Sequence, residues 1–226
     1  VLATGMISLV GLPYLYRFLW GPFLDRYSLS SLGKRRSWML LTQIMLLIGF
    51  NVLAWFTPTQ SPHLMVIIAL FLACVSATQD VSVDAQRTEY LPYLEQGLGA
   101  SLAVFGYRLG LLVAGGLALI LAQKLGWAIT YRLMGAAMLV GIFATLWSKE
   151  PEVPAQTTFS LIDSFVVPIQ DLCRRPYFMA LMAFILFYKL GEAFTATTSG
   201  IVMPFLIYGL GFSLETIGYV NKILGM

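Results

Sequence analysis

Charge is scarce in this sequence, and its placement matters more than the shortage. Only 11% of the 226 residues are charged, while 58% are hydrophobic. A soluble domain carries about twice that charged share. A water-soluble chain of this size cannot hide so much apolar surface, so the lipid bilayer is the implied solvent and nucleic acid is not an expected partner. Cysteine and histidine are nearly lacking. Cys74, Cys173 and His63 are the whole supply, too few and too unlike in context for a disulfide framework or a metal site. Neither metal nor cofactor is expected. Hydrolase and metalloprotease signatures are also lacking: there is no Gly-x-Ser-x-Gly and no His-Glu-x-x-His. Asp80 and Asp84 share one helix instead of facing each other from two, so an intramembrane enzyme is not expected. No secretory leader precedes the first apolar run. That run opens at Val1, and the lack of an initiating Met points to a chain that began earlier.

What is abundant is apolar sequence in bilayer lengths. A helix needs about 20 mostly apolar residues to cross the hydrocarbon. Such runs occupy residues 1–24, 37–56, 64–85, 98–122, 127–147 and 176–207, and a seventh starts near Phe212 and is cut off at Met226. The expectation is an all-α, polytopic transmembrane bundle of six full spans plus part of a seventh. Its connections alternate in charge. Arg26, Lys34, Arg35, Arg36, Arg87, Lys149, Arg174 and Arg175 fall in loops 25–36, 86–97 and 148–175, whereas loop 57–63 has no Lys or Arg and loop 123–126 has only Lys124. Basic loops stay in the cytoplasm, so the first span runs from outside to inside. Trp20, Trp38, Trp55, Trp127 and Trp147 cluster at span ends, as interfacial aromatics do. In the long loop, Phe159, Ile162, Val166 and Ile169 recur at helical spacing, which predicts a helix along the membrane surface.

Charge inside a span is costly and marks candidate sites. Arg17, Asp80, Asp84, Arg108, Lys189 and Glu192 are such charges, and Tyr107 accompanies Arg108. Asp80 lies about 15 Å from Tyr90, Arg108 about 16 Å from Gly97, Lys189 about 20 Å from Pro176 and Arg17 about 12 Å from Asp25 at the helical rise. All four depths approach the middle of a bilayer about 30 Å thick. Asp80, Asp84 and Arg87 share one helical face. Lys189 and Glu192 can pair in the same way. Structural ion pairing and cavity duty both fit Asp84 with Arg87. Asp80 and Glu192 are candidate proton carriers, and the sequence does not say which. The second and fifth spans are nearly free of interior charge and are expected to face lipid. Gly106 and Gly110, followed by Gly115 and Gly116, are expected to permit close helix contact. Gly191, Gly200 and Pro204 interrupt the last full span, as a gate would.

The segment FLWGPFLDRY (18–27) with GKRR (33–36) is similar to the loop between helices two and three of the major facilitator superfamily. Gly21, Asp25, Arg26, Gly33, Lys34, Arg35 and Arg36 fall in that motif, although the interval from Asp25-Arg26 to Gly33 is longer than the common form. Gly21 is expected to admit a neighbouring helix. Asp25 is expected to cap a helix of the opposite lobe, and Arg26 with Lys34–Arg36 to hold the loop at the cytoplasmic face. ATQDVSVDAQRTEYLP (77–92), VFGYRLGLLVAGGLAL (104–119), LFYKLGEAF (186–194) and YVNKILG (219–225) resemble AmpG-type bacterial muropeptide permeases, to which the acetyl-coenzyme A transporters are related.

The resemblance implies a partial major-facilitator fold in which this chain holds helices two to seven and the start of eight. Residues 1–148 would be an N-terminal lobe lacking helix one, 149–175 a cytoplasmic linker, and 176–226 the start of a second lobe that is otherwise missing. It implies proton-coupled import of a small glycopeptide, the anhydro-muropeptide, across the bacterial inner membrane, with Arg108, Lys189 and Arg17 as partners for the peptide carboxylates. Two lobes are needed to alternate access, so the chain is expected to be incomplete and inactive alone. Carriage of an acyl-coenzyme A or a sugar, or a non-transporting scaffold role, are the alternatives.

Overall fold

Proline and glycine break the first apolar run. The computed structural model describes residues 9–29, 32–57, 61–151, 161–195 and 209–211. Within it, residues 9–26 form a 3-10 turn (Leu9–Gly11), helix α1 (Leu12–Leu15), a second 3-10 turn (Arg17–Leu19) and helix α2 (Gly21–Arg26). The continuous span expected over 1–24 is therefore corrected to short pieces across its described part. Pro13 and Pro22 each fall in the first two positions of a short helix. A proline tolerates that place because its missing N–H has no helical partner there.

The longer helices follow the hydropathy closely. Helix α3 (Lys34–Leu53) begins three residues before the expected 37, and α4 (Pro62–Tyr90) outruns its expected 64–85 at both ends. At 29 residues, α4 is about 44 Å long, so its last turns extend beyond the hydrocarbon. It stops where Leu91 turns extended, as the residue before a proline prefers. Helix α5 (Gln96–Leu111) passes through a π-helical segment (Leu112–Leu117) into α6 (Ala118–Leu125). Helix α7 (Trp127–Trp147) matches its expected bounds. Among the described residues four helical runs are long and apolar enough to cross a membrane: Lys34–Leu53, Pro62–Tyr90, Tyr93–Ala114 and Trp127–Trp147.

The chain divides into two units, residues 1–161 and 162–226. In the first unit α3 is central, packed on α7 along one flank and on α4 along another. Leu46, Leu53, Leu72 and Val75 form its buried core, with Phe50, Ile68, Tyr131 and Met138 against them. A Cβ at Gly49 would overlap the Leu72 side chain, and one at Gly135 would press on Phe50 and the Leu47 carbonyl. These glycines let the helices approach. Gly106 and Gly110, expected to do so, have open space where a Cβ would stand. The expectation that charge-poor helices simply face lipid also needs correction for α3, which is the most buried of the four runs. Only its stripe of Leu41, Ile44 and Ile48 is exposed, at the spacing of one helical face.

In the second unit, α8 (Leu161–Arg174) is the amphipathic helix anticipated over 159–172, and α9 (Phe178–Thr195) covers the described part of the sixth span. Asp171 pairs with Arg175 at 3.0 Å. Gly200, Pro204 and the seventh span from Phe212 lie outside the described residues.

Candidate functional site

Two groups of charges stand out, one partway along α4 and one where the ends of α2, α3, α4 and α7 meet. In the first group, the broken first segment sets Arg17 in a 3-10 turn that packs against α4. That helix carries Asp80 and, one turn further along, Asp84. Asp84 itself pairs with Arg87 at 3.1 Å, with both side chains partly exposed. Tyr107 and Arg108 lie exposed on α5, and Lys189 lies exposed on α9 of the second unit. Glu192 falls within α9, and its side chain lies outside the described residues. Thus Asp84 and Arg87 are brought together as an ion pair, and the turn that carries Arg17 is set against the helix that carries Asp80. A cleft of about 580 Å³ between α3, α4 and α7 is lined by Gln43, Gln86, Arg87, Thr145 and Lys149 among others. None of the mid-depth candidates lines it.

The end where α3 begins and α4 and α7 finish is built more tightly than its sequence promised. Arg35, only 6% exposed, donates from Nε to Glu89 at 2.8 Å and also reaches Glu89 with its Nη2. The same Nη2 pairs with Asp25 at 2.7 Å. Asp25, expected to cap a helix of another lobe, is thus tied to α3 instead. Arg36 turns the other way and donates to the Thr145 and Leu146 carbonyls, at 3.2 and 2.7 Å. Those carbonyls belong to the last turn of α7 and have no partner within the helix. Arg35 and Arg36, expected as a basic fringe holding a loop, are corrected to internal ties between helix ends. Arg26 remains exposed, and Lys34 starts α3. A Cβ at Gly21 would meet open space, so the expected close approach there is not made among the described residues.

The first turn of α3 is closed by Glu150. Its two carboxylate oxygens accept the backbone N–H groups of Arg35 at 2.7 Å and Arg36 at 3.0 Å. Gly33 makes room for this: it adopts φ +108, and a Cβ there would overlap the Glu150 carboxylate. Only glycine takes that backbone conformation without strain. Deeper in the same seam, Gln43 and Thr145 bond to each other across α3 and α7 at 2.9 and 3.1 Å. Gln86 donates from α4 to Ser148 Oγ at 3.1 Å and to the Lys149 carbonyl at 3.3 Å.

Sequence reading passed over Glu89, Glu150, Gln43 and Thr145. The first two lie in polar stretches beside basic residues and read there as solvated charge. The last two are uncharged and sit in spans judged clean. The available signal was an acidic residue just past the end of each of two apolar runs, with the Arg35-Arg36 pair just before a third.

Comparison with known proteins completes the picture. The chain is 42% identical over 223 residues to the anhydromuropeptide permease of Escherichia coli, across 98% of this chain and 45% of that protein. It is 40% identical over 223 residues to an uncharacterized protein of Haemophilus influenzae, across 96% of this chain and 52% of that protein. A putative transporter AmpG 4 of Rickettsia conorii is 27% identical over 225 residues, across 95% of this chain and 53% of its own length. The chain spans about half the length of the curated relatives it matches. Its helices and its relatives make it a multi-pass protein of the bacterial inner membrane. The match to the Major Facilitator Superfamily runs over residues 3–226, and the chain belongs to that family.

Proposed function

We propose that this chain works within a secondary-active carrier that brings anhydro-muropeptides across the inner membrane into the cytoplasm, driven by protons. The observation that carries this reading is the 42% identity, over 98% of the chain, to a protein named for that cargo. The reading treats residues 1–148 as most of one lobe, 149–175 as the connection and 176–226 as the start of the second lobe. The substrate is carried and not chemically altered. Arg17, Arg108 and Lys189 receive the peptide carboxylates, since a guanidinium or ammonium group favours an anion where water is scarce. Asp80, on the helix against which the turn carrying Arg17 packs, is the proton carrier in this reading. Arg17 then responds to whether that carboxylate is charged. Asp84, paired with Arg87, keeps that end of α4 neutral.

The test is uptake of labelled anhydro-muropeptide into vesicles carrying the full-length protein, with and without a proton uncoupler. Uptake that the uncoupler abolishes supports the proposal. Uptake blocked by excess acetyl-coenzyme A but not by unlabelled muropeptide would move the assignment to an acyl-coenzyme A carrier. No uptake at all would remove the cargo and leave the superfamily.

A further inference from the structure

The end of the first unit where α3 begins contains a reciprocal tie. Glu150, three residues past the end of α7, closes the first turn of α3 with both carboxylate oxygens. Arg36, in that first turn of α3, closes the last turn of α7 by donating to Thr145 and Leu146. Each helix end thus satisfies the backbone groups that the other leaves without partners. The tie also has favourable signs, with an anion at the positive end of one helix dipole and a cation at the negative end of the other. The residue held at its backbone by Glu150 is Arg35, whose side chain bridges Asp25 and Glu89.

We propose that Glu150 is a positioning residue for transport. By fixing the α3 N-terminus against the α7 C-terminus, it holds the Arg35 guanidinium where it can reach the ends of both α2 and α4. Gly33 is glycine for the same reason, because a side chain there would displace the Glu150 carboxylate. Three observations agree on this role: the two-pronged acceptance by Glu150, the overlap that any Cβ at Gly33 would create, and the burial of the arginine that the tie orients. Helices α2, α3, α4 and α7 are then joined at one end by a single connected set of bonds and can move as one body.

This inference rests on the transport reading above for its functional half, so its test has two arms. The first needs no substrate. In purified full-length protein, thermal midpoints are measured for Glu150→Ala, Arg35→Ala and the double variant. Coupled effects, with the double variant little worse than Arg35→Ala, are expected, because the ion cluster that Glu150 holds is already gone. Additive effects would overturn the positioning role. The second arm measures uptake in vesicles. Glu150→Ala should lower the maximal rate about 10-fold while the half-saturating concentration stays within about 2-fold, since Glu150 acts through Arg35 and not on the cargo. Glu150→Gln keeps one acceptor oxygen and should fall between. A maximal rate for Glu150→Ala within about 2-fold of wild type, or a change confined to the half-saturating concentration, would overturn the inference. A coupled thermal cycle with no uptake by the wild type would instead sink the transport reading and leave the structural tie intact.

Discussion

Gln43 and Thr145 hold each other in both directions: the glutamine amide donates to the threonine hydroxyl, and the hydroxyl donates to the amide oxygen, at 2.9 and 3.1 Å. They are 3% and 2% exposed, at the contact between α3 and α7. An amide in such a place is tolerated only because its partner meets it. Thr145→Val keeps the shape and removes the partner. The variant should lose about 1–3 kcal/mol of stability, the cost of a buried polar group left unmatched. Adding Gln43→Leu should restore most of the loss. Thermal unfolding of the purified protein checks this, and a double variant no better than Thr145→Val would contradict it.

Arg35 binds two carboxylates with one guanidinium, and only the arginine is buried, Asp25 and Glu89 keeping part of their surface in solvent. Arg35→Ala should destabilise by about 1.5–3 kcal/mol, the worth of hydrogen bonds to a charged group, since water reaches both carboxylates once the guanidinium is gone. Arg35→Lys should recover only part, because an ammonium lacks the fork that spans Asp25 and Glu89 together. Yield and thermal midpoint of the two variants are the measurement. Equal behaviour of Lys and Arg at this position would show that charge alone suffices.

Gly49 lies under Leu72 so closely that a methyl group would overlap it. Gly49→Ala should therefore cost about 1–3 kcal/mol through overpacking. Leu72→Ala in the same chain should relieve the overlap and make the pair less damaging than the sum of the single changes. A neutral Gly49→Ala would mean that α3 and α4 approach less tightly than described.

Arg17 and Asp80 offer a test that separates function from folding. Arg17→Ala and Asp80→Asn should each reduce proton-driven uptake by about 10-fold or more, given what an intramembrane charge costs to keep without a role. Asp80→Asn should retain exchange of cargo across the membrane without a proton gradient, because only the coupling carboxylate is lost. Net uptake and exchange are measured side by side in the same vesicles. Loss of both would move Asp80 from proton carrier to cargo partner.

Arg87→Ala should by contrast change stability by less than about 1 kcal/mol, because its pair with Asp84 is partly exposed and close to the end of α4. A larger effect on the thermal midpoint would show that the pair is shielded from water.

Most of the long helices are legible in the sequence. Helix α7 runs over the interval that its hydropathy predicted, and α3 and α4 start or stop within a few residues of theirs. Crossing a bilayer is a local requirement of length and apolarity, met or failed by each segment alone. The amphipathic α8 was legible for the same reason, since period and polarity are properties of one stretch. The first run misled because its total hydropathy was sufficient, while Pro13 and Pro22 were free to restart the helix twice.

The contacts between helices were another matter. Sequence determined the class, the approximate bounds of the longer spans and the list of charges that a bilayer makes expensive. Tertiary structure decided which charges meet: Asp84 with Arg87, Arg35 with Asp25 and Glu89, and Glu150 with the start of α3 across 115 residues of sequence. It also decided which glycines matter, choosing Gly33 and Gly49 over Gly106 and Gly110. The physical reason is range. Hydropathy is a sum over neighbours along the chain, whereas an ion pair or a close helix crossing depends on which face each helix turns to another, and no single helix carries that information.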